Sequence, residues 1–186
     1  ELISEHNHLI KCKYVIIATG FEAGQFLPKK VMSLLSTYAI ISQPIDKKMI
    51  WPHRSLIWET AEPYLYMRTT LDNRLIVGGE DEEFYDPIKR DDLLRNKIKN
   101  LERKFKNLYP DIEFITEMAW CGTFSSTEDG LPYMGPWKKG EKKLFALGYG
   151  GNGITFSMVA AQVLRNIILG KNEPRLETFG FDRPQK

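Results

Sequence analysis

Residues 145–164 read FALGYGGNGITFSMVAAQVL, twenty positions without a charged side chain. Four glycines fall within 148–153, and an apolar, helix-like run follows at once. The preceding residues, KLFALGY at 143–149, predict a strand that enters the glycine turn. Thr155 to Leu169 then predicts a helix, with Gly170 placed as its C-terminal stop. Strand, glycine turn and helix make an α/β unit, and a helix apolar nearly all round is expected to be buried. Gly148 to Gly153 with Asn152, Thr155, Ser157 and Gln162 argue against a bilayer span of similar length.

A glycine turn opening a helix commonly cradles an anion. A P-loop needs a lysine and a hydroxyl after the glycines, and this turn has a threonine but no lysine. A dinucleotide fingerprint belongs after the first strand of a βαβ unit, whereas Gly148, Gly150, Gly151 and Gly153 do not read as its clean spacing and lie near the end of the chain with only a tail after their helix. A third use is a helix N-terminus aimed at a ligand that becomes electron-rich, whose charge the free N–H groups would stabilise. A turn that merely packs helix on strand is the fourth.

Upstream, HLIKCKYVIIATG at 8–20 ends in an apolar run, Tyr14 to Ala18, which predicts a parallel strand buried on both faces. TYAIISQPI at 37–45 predicts a strand stopped near Pro44. PYLYMRTTLDNRLIVGGEDEEF at 63–84 predicts a β-hairpin turning at Asp72-Asn73. With a two-residue turn, Tyr64, Tyr66 and Arg68 share one face and Gly79 stands opposite Tyr66. Leu94, Ile98, Leu101, Phe105 and Leu108 line one stripe of a helix over 89–108. Asp91 and Asp92 begin that helix, and Arg103, Lys104 and Lys106 end it, as its dipole favours. Its eight basic residues lack interleaved aromatics, so a solvated face explains them better than nucleic acid. FITEMAWCGTF at 114–124 predicts another strand, with Trp120, Gly122 and Phe124 on one side and Cys121 on the other.

The 186 residues carry a formal net charge of +2, too little to suggest a nucleic-acid or membrane partner. Cys12 and Cys121 have no metal or redox spacing, so they are expected to stay reduced in a cytoplasmic setting. His6, His8 and His53 join no catalytic constellation, and no metal set is visible. Asp129, in TEDGLP, reads as a turn residue. Residues 1–9, ELISEHNHL, are polar and acidic and do not read as a signal peptide.

The order YVIIATG, YMRTTLDNRLIVGGED, WCGTFSSTEDGLPYMG, GYGGNGITFSMVAAQVL resembles the flavin-dependent amine and amino-acid oxidoreductases of the D-amino-acid oxidase and glycine oxidase type. The resemblance covers nearly the whole chain. It implies an α+β fold: an antiparallel substrate-binding sheet with flanking helices, plus the C-terminal remnant of an FAD-binding α/β domain. It divides the chain into 1–26 and 119–186 for the FAD part and 27–118 for the substrate part. It implies non-covalent FAD, with Gly150, Gly151, Asn152, Gly153, Ile154 and Thr155 along the flavin's pyrimidine edge and Gly20 on the cofactor path. Tyr64, Tyr66, Arg68 and Phe124 are the expected substrate-facing residues, for a small amine or amino acid whose C–N bond loses a hydride. No catalytic acid or base is assigned.

Two departures matter. Members open with a Rossmann motif that residues 1–20 do not supply, so the chain is expected to be a C-terminal part that binds FAD weakly or not at all alone. The family often places an arginine three residues before the Thr of T-x-D, where it grips a carboxylate. Phe124 stands there, which favours an amine, an N-substituted substrate or a carboxylate met by Arg68. Cys121 has the wrong parity for a covalent flavin link. Two alternatives remain: a flavoprotein domain acting on a modified tRNA nucleoside, and a non-catalytic interaction module of the same fold. Electron acceptor and oligomeric state stay open.

Overall fold

A computed structural model describes residues 1–184 of the chain; the last two residues of the expected tail, Gln185 and Lys186, lie outside the described residues. The elements in chain order are β1 (Leu2–Ile3), β2 (Leu9–Ile10), β3 (Val15–Ile17), β4 (Ser33–Ser42), β5 (Ile57–Trp58), β6 (Leu65–Thr69) and β7 (Leu75–Glu83). There follow α1 (Pro87–Leu108), β8 (Thr116–Ser126), β9 (Tyr133–Pro136), β10 (Lys143–Leu147), α2 (Gly153–Ile168) and the single turn α3 (Leu176–Phe179). They divide into two compact units, one of residues 1–34 with 124–186 and one of 35–123.

In the first unit, β10 lies between β3 and β9, parallel to β3 and antiparallel to β9. Ile17, Ala23, Met32, Tyr133, Phe145 and Leu147 make one core. Met134, Leu144, Ala146, Ala160, Val163 and Leu164 make another, which seats one face of α2. The parallel pairing expected of YVIIATG is present, but burial on both faces is not: β3 is an edge strand and Ile16 is 48% exposed. The helix also departs from expectation. Ile154 is 93% and Met158 63% exposed, so only one side of α2 is covered among the described residues. Ile16, Ala18, Ala161, Ile168 and Leu169 border an open apolar groove of about 660 Å³ along it.

The C-terminal residues fold back into this unit. Phe181 stacks on Tyr133 at 4.8 Å between ring centroids and lies 5.0 Å from Trp137. Arg183 is buried, donating to Asp129 Oδ2 at 2.8 Å, Asp129 Oδ1 at 2.7 Å and the carbonyls of Leu131 and Pro132 at 2.7 Å.

The second unit is the antiparallel sheet, ordered β5-β6-β7-β4-β8. Its core packs Tyr38, Ile40, Leu65, Met67, Leu75 and Val77 against Leu101 and Phe105 of α1. That helix begins two residues earlier than the stripe predicts, because Asp86 caps it by accepting from the Lys89 N–H at 2.9 Å.

The hairpin differs from its sequence reading by one residue. Tyr66 pairs with Gly78, not Gly79, and Thr69 with Leu75. Asn73 adopts a left-handed φ of 66°, and Thr70 bonds Arg74 across the turn. Three residues rather than two therefore span the loop, which suits an Asn in that conformation.

Candidate functional site

The α1-distant face of the sheet is built by strand parity and one bulge. Leu65 and Met67 enter the core, so Tyr64, Tyr66 and Arg68 point the other way. The Tyr66 ring lies over Gly78, where an added Cβ would sit 2.2 Å from Tyr66 Cζ. Trp58 pairs with Tyr66 across β5 and β6, and its ring stands 6.4 Å from that of Tyr64. Tyr64 and Tyr66 are 6.1 Å apart. Arg68 is exposed and forms no hydrogen bond or ion pair with another described residue, although its charge reaches the Tyr66 hydroxyl.

Ser36 pairs with Glu82 but Tyr38 with Gly79, so Thr37 faces two residues of β7 instead of one. This bulge has Gly79 at φ 133° and Glu80 at φ 58°. It turns the buried Glu80 toward α1, where Lys104 Nζ meets its carboxylate at 2.6 Å and Asn100 donates at 3.1 Å. Burial opposes the Glu80 charge, but the bonds to Lys104 and Asn100 prevail and hold its carboxyl below the ordinary range. Asp81 then falls on the side of Thr37 and Tyr64. Burial raises the Asp81 carboxyl, and the nearby Thr37 and Tyr64 hydroxyls and the Lys97 charge only partly offset this. Asp81 Oδ1 is buried without a hydrogen-bond partner. The Tyr64 hydroxyl is pushed far above the usual phenol range, by burial first and then by the Asp81 charge.

Cys121 packs toward α1, with its Sγ 3.2 Å from Asp91 Oδ1. Gly122 lies on the Thr37 side, its would-be Cβ 3.7 Å from Thr37 Cγ2. Cys121 and Gly122 therefore lie on opposite sides of the strand, as alternation predicts for that pair. Phe124 is half-buried on the same strand, in the residue range of the first unit.

In that unit the glycine turn runs from Gly148 at φ 75° through Gly150 at φ 53° into a short 3-10 turn, Gly150–Asn152. No side chain caps α2. Gly151, Asn152, Ile154 and Thr155 are exposed and Gly153 is half-exposed. Gly20, also left-handed at φ 62°, is exposed with open space around its Cα. Gly148 is held open for another reason: a Cβ there would come 2.7 Å from Thr127 Cγ2.

Gly148, Gly150 and Gly153 do have the intervals of G-x-G-x-x-G. Topology still separates this turn from a dinucleotide fingerprint. Glu173 lies 20 residues beyond Gly153, where a ribose-binding acid would be sought, but it is not at the end of a following strand. Its carboxylate is taken by Arg175 at 2.6 Å and Asn166 at 2.8 Å. Those bonds lower its pKa from 4.5 to about 2.

Sequence reasoning missed Asp81, Trp58 and the Arg183–Asp129 pair. The double glycine within a strand, followed by acids, was the available sign of the bulge. A cleft of about 750 Å³ lined by Lys29, Lys30, Ser33, Ser126, Thr127 and Tyr133 had no local sign, since its walls come from distant segments. Among the described residues no cluster of His, Cys, Asp and Glu could hold a metal ion. No described helix is long and apolar enough to cross a membrane.

The chain is 24% identical over 176 residues to glycine oxidase of Bacillus subtilis (strain 168), covering 92% of the chain and 46% of that protein. It is 25% identical over 178 residues to gamma-glutamylputrescine oxidoreductase of Escherichia coli (strain K12), covering 91% of the chain and 39% of that protein. Glycine oxidase from Geobacillus kaustophilus has the same fold, with a TM-score of 0.72 at 21% identity over 93% of this chain and 46% of that one. The chain thus spans less than half the length of these relatives. Residues 3–167 match the family described as FAD dependent oxidoreductase, and the chain belongs to it.

Proposed function

We infer that the chain forms the C-terminal part of a flavoenzyme that oxidises the C–N bond of an amine or amino acid. The observation that carries this reading is the uncapped, solvent-open N-terminus of α2 behind its glycine turn, in a chain of this family. The donor set suits a neutral ring that gains negative charge: backbone N–H groups and a helix dipole, without a lysine. On this reading Gly150, Gly151, Asn152, Gly153, Ile154 and Thr155 hold the flavin edge and Gly20 lines the approach. The unit of 1–34 and 124–186 is the cofactor part, and the sheet of 35–123 is the substrate part. FAD, when bound, supplies the acceptor for the hydride leaving the carbon beside nitrogen.

The chain's own residues bind and orient. Tyr64 and Tyr66, uncharged at neutral pH, offer ring faces and hydroxyls to the substrate, and Trp58 extends that wall. Arg68, free of an ion-pair partner among the described residues, takes a carboxylate where the substrate has one. Phe124 supplies apolar contact where an arginine would have demanded a charge. Amines and N-substituted amino acids fit this set better than a compact α-amino acid. A role on tRNA finds less support, since Lys97 and Lys104 of α1 are engaged with Glu82 and Glu80.

The test is the full-length protein. It is expected to purify with flavin absorbance near about 450 nm, and an amine substrate added without oxygen should bleach that band. A colourless protein that cannot be reconstituted with FAD would overturn the reading.

A further inference from the structure

The net charge of +2 hides an uneven distribution. In the first unit β3 and β10 are parallel, so the residues leading into both lie at one end of the three-stranded sheet. Lys11 and Lys13 lead into β3, where the Val15 N–H donates to the Lys142 carbonyl at 2.9 Å. The hairpin from β9 to β10 brings Lys138, Lys139, Lys142 and Lys143 to the same end. After Gly20 the chain returns there. Lys143 Nζ donates to the Phe26 carbonyl at 3.3 Å, and Lys29 Nζ, with Lys30 next in sequence, stands 5.7 Å from the centre of the Trp137 ring. All eight lysines are exposed, and none is ion-paired with a described residue. Glu141 is the one acid within residues 11–15, 26–33 and 137–143.

The glycine turn leaves β10 at its other end, roughly 15 Å away along the strand, so this face is separate from the proposed cofactor site. Its composition favours one kind of partner. No arginine occurs in the three segments, although a planar fork is the better reader of a single, fixed phosphate or carboxylate. Ammonium groups on flexible stems suit a diffuse layer of negative charge instead. Apolar side chains lie among them: Phe26 is 42% exposed, Ile10, next to Lys11, is 50% exposed, and the Trp137 ring is half-buried beside Lys29. Apolar groups ringed by lysines match the boundary of an anionic bilayer, where the first enter the acyl region and the second stay with the headgroups. We propose that this lysine face docks the protein on anionic lipid surfaces, with Phe26 entering the acyl boundary. Such docking needs no helix that crosses the membrane, and it stands apart from the flavin reading.

The test is cosedimentation of the full-length protein with phosphatidylcholine vesicles that contain about 30% phosphatidylserine or none. The protein should pellet with the first and not with the second, and about 0.5 M salt should release it. Lys138→Glu, Lys139→Glu and Lys142→Glu combined should weaken binding about a hundredfold or more, since each lysine near such a surface contributes about fivefold. Lys47→Glu, Lys48→Glu and Lys99→Glu change the net charge equally but lie in the other unit, so that triple variant should pellet like the parent. All six side chains are exposed, and a melting curve for each variant checks that the fold is kept. Phe26→Ser should weaken vesicle binding severalfold without altering its salt dependence. The proposal is overturned if both kinds of vesicle pellet the protein alike, if neither does, or if the two triple variants lose equally. It is also overturned if bulk tRNA binds more tightly than the anionic vesicles. None of these outcomes depends on flavin content or turnover, so failure here is separable from failure of the functional reading.

Discussion

Arg183 shows how much a single side chain in an apparent tail can hold. Its guanidinium is 3% exposed, grips both oxygens of Asp129 and caps two carbonyls, and its Cζ lies 3.7 Å from the Tyr133 ring centre. The Asp129 carboxyl is partly desolvated, yet Arg183 keeps it below its ordinary range. Arg183→Ala would leave a carboxylate and the Leu131 and Pro132 carbonyls short of donors. We expect a loss of about 3–5 kcal/mol in urea unfolding, with Arg183→Lys intermediate because it lacks the planar fork. Glu173 sets a pH limit on the same unit. Its folded pKa, about 2, lies below the ordinary 4.5, chiefly through Arg175. Its stabilisation is therefore complete above pH 4.5 and disappears as pH falls toward 2. Acid unfolding followed by circular dichroism should show this, and Glu173→Gln should flatten the curve in that window. Neither pair was legible beforehand. Asp129 could be read as a turn residue from TEDGLP, but its partner lies 54 positions away, and no local pattern predicts that meeting.

Among the elements, β6 and β7 carry the sharpest contrast. Gly78 and Gly79 are adjacent, and each excludes a side chain for a different reason. A Cβ at Gly78 would strike the far end of the Tyr66 ring, which can swing away. At Gly79 it would lie 2.1 Å from the Tyr64 carbonyl oxygen, on a backbone already at φ 133°. Gly79→Ala is expected to cost about 2–4 kcal/mol in unfolding free energy. Gly78→Ala should cost under about 1.5 kcal/mol but raise KM for the amine by displacing Tyr66. Comparable losses in the two would show that the bulge is not the constraint. The strands themselves were readable from alternation, and so was the shared side of Tyr64, Tyr66 and Arg68. The register was misread at the turn: two residues at Asp72-Asn73 would put Leu75 and Val77 on the face of Tyr66 and Arg68, whereas three align them with Leu65 and Met67 in the core. The bulge lay further out of reach, since it depends on pairing with Thr37 on a strand forty residues away.

For the molecule as a whole, the two units were legible to different degrees. The sheet of 35–123 closes its core with its own helix, so periodicity in α1 and the strands predicted it well. The other unit draws its strands from both ends of the chain, and only the resemblance joined YVIIATG to the glycine turn. The resemblance implies phosphate-binding glycines that residues 1–20 do not supply. On the proposed function, free FAD titrated into the 186-residue chain should give no saturable calorimetric signal at micromolar concentration, whereas the full-length protein should retain it through gel filtration. Tight binding by the 186 residues would show that the turn suffices.

The half-covered α2 has a practical consequence in the laboratory. Ile154, Met158 and Ile168 of α2 and Leu169 just after it are exposed apolar side chains, next to the open groove lined by Ile16 and Ala18. Expressed by itself, the chain should be colloidally poor, with a light-scattering radius that grows with concentration and dye fluorescence typical of greasy surfaces. Replacing Met158 by glutamine and Ile168, at the C-terminus of α2, by lysine should raise its solubility limit without lowering its melting temperature, since neither residue belongs to the buried cores and a cation suits that end of the helix.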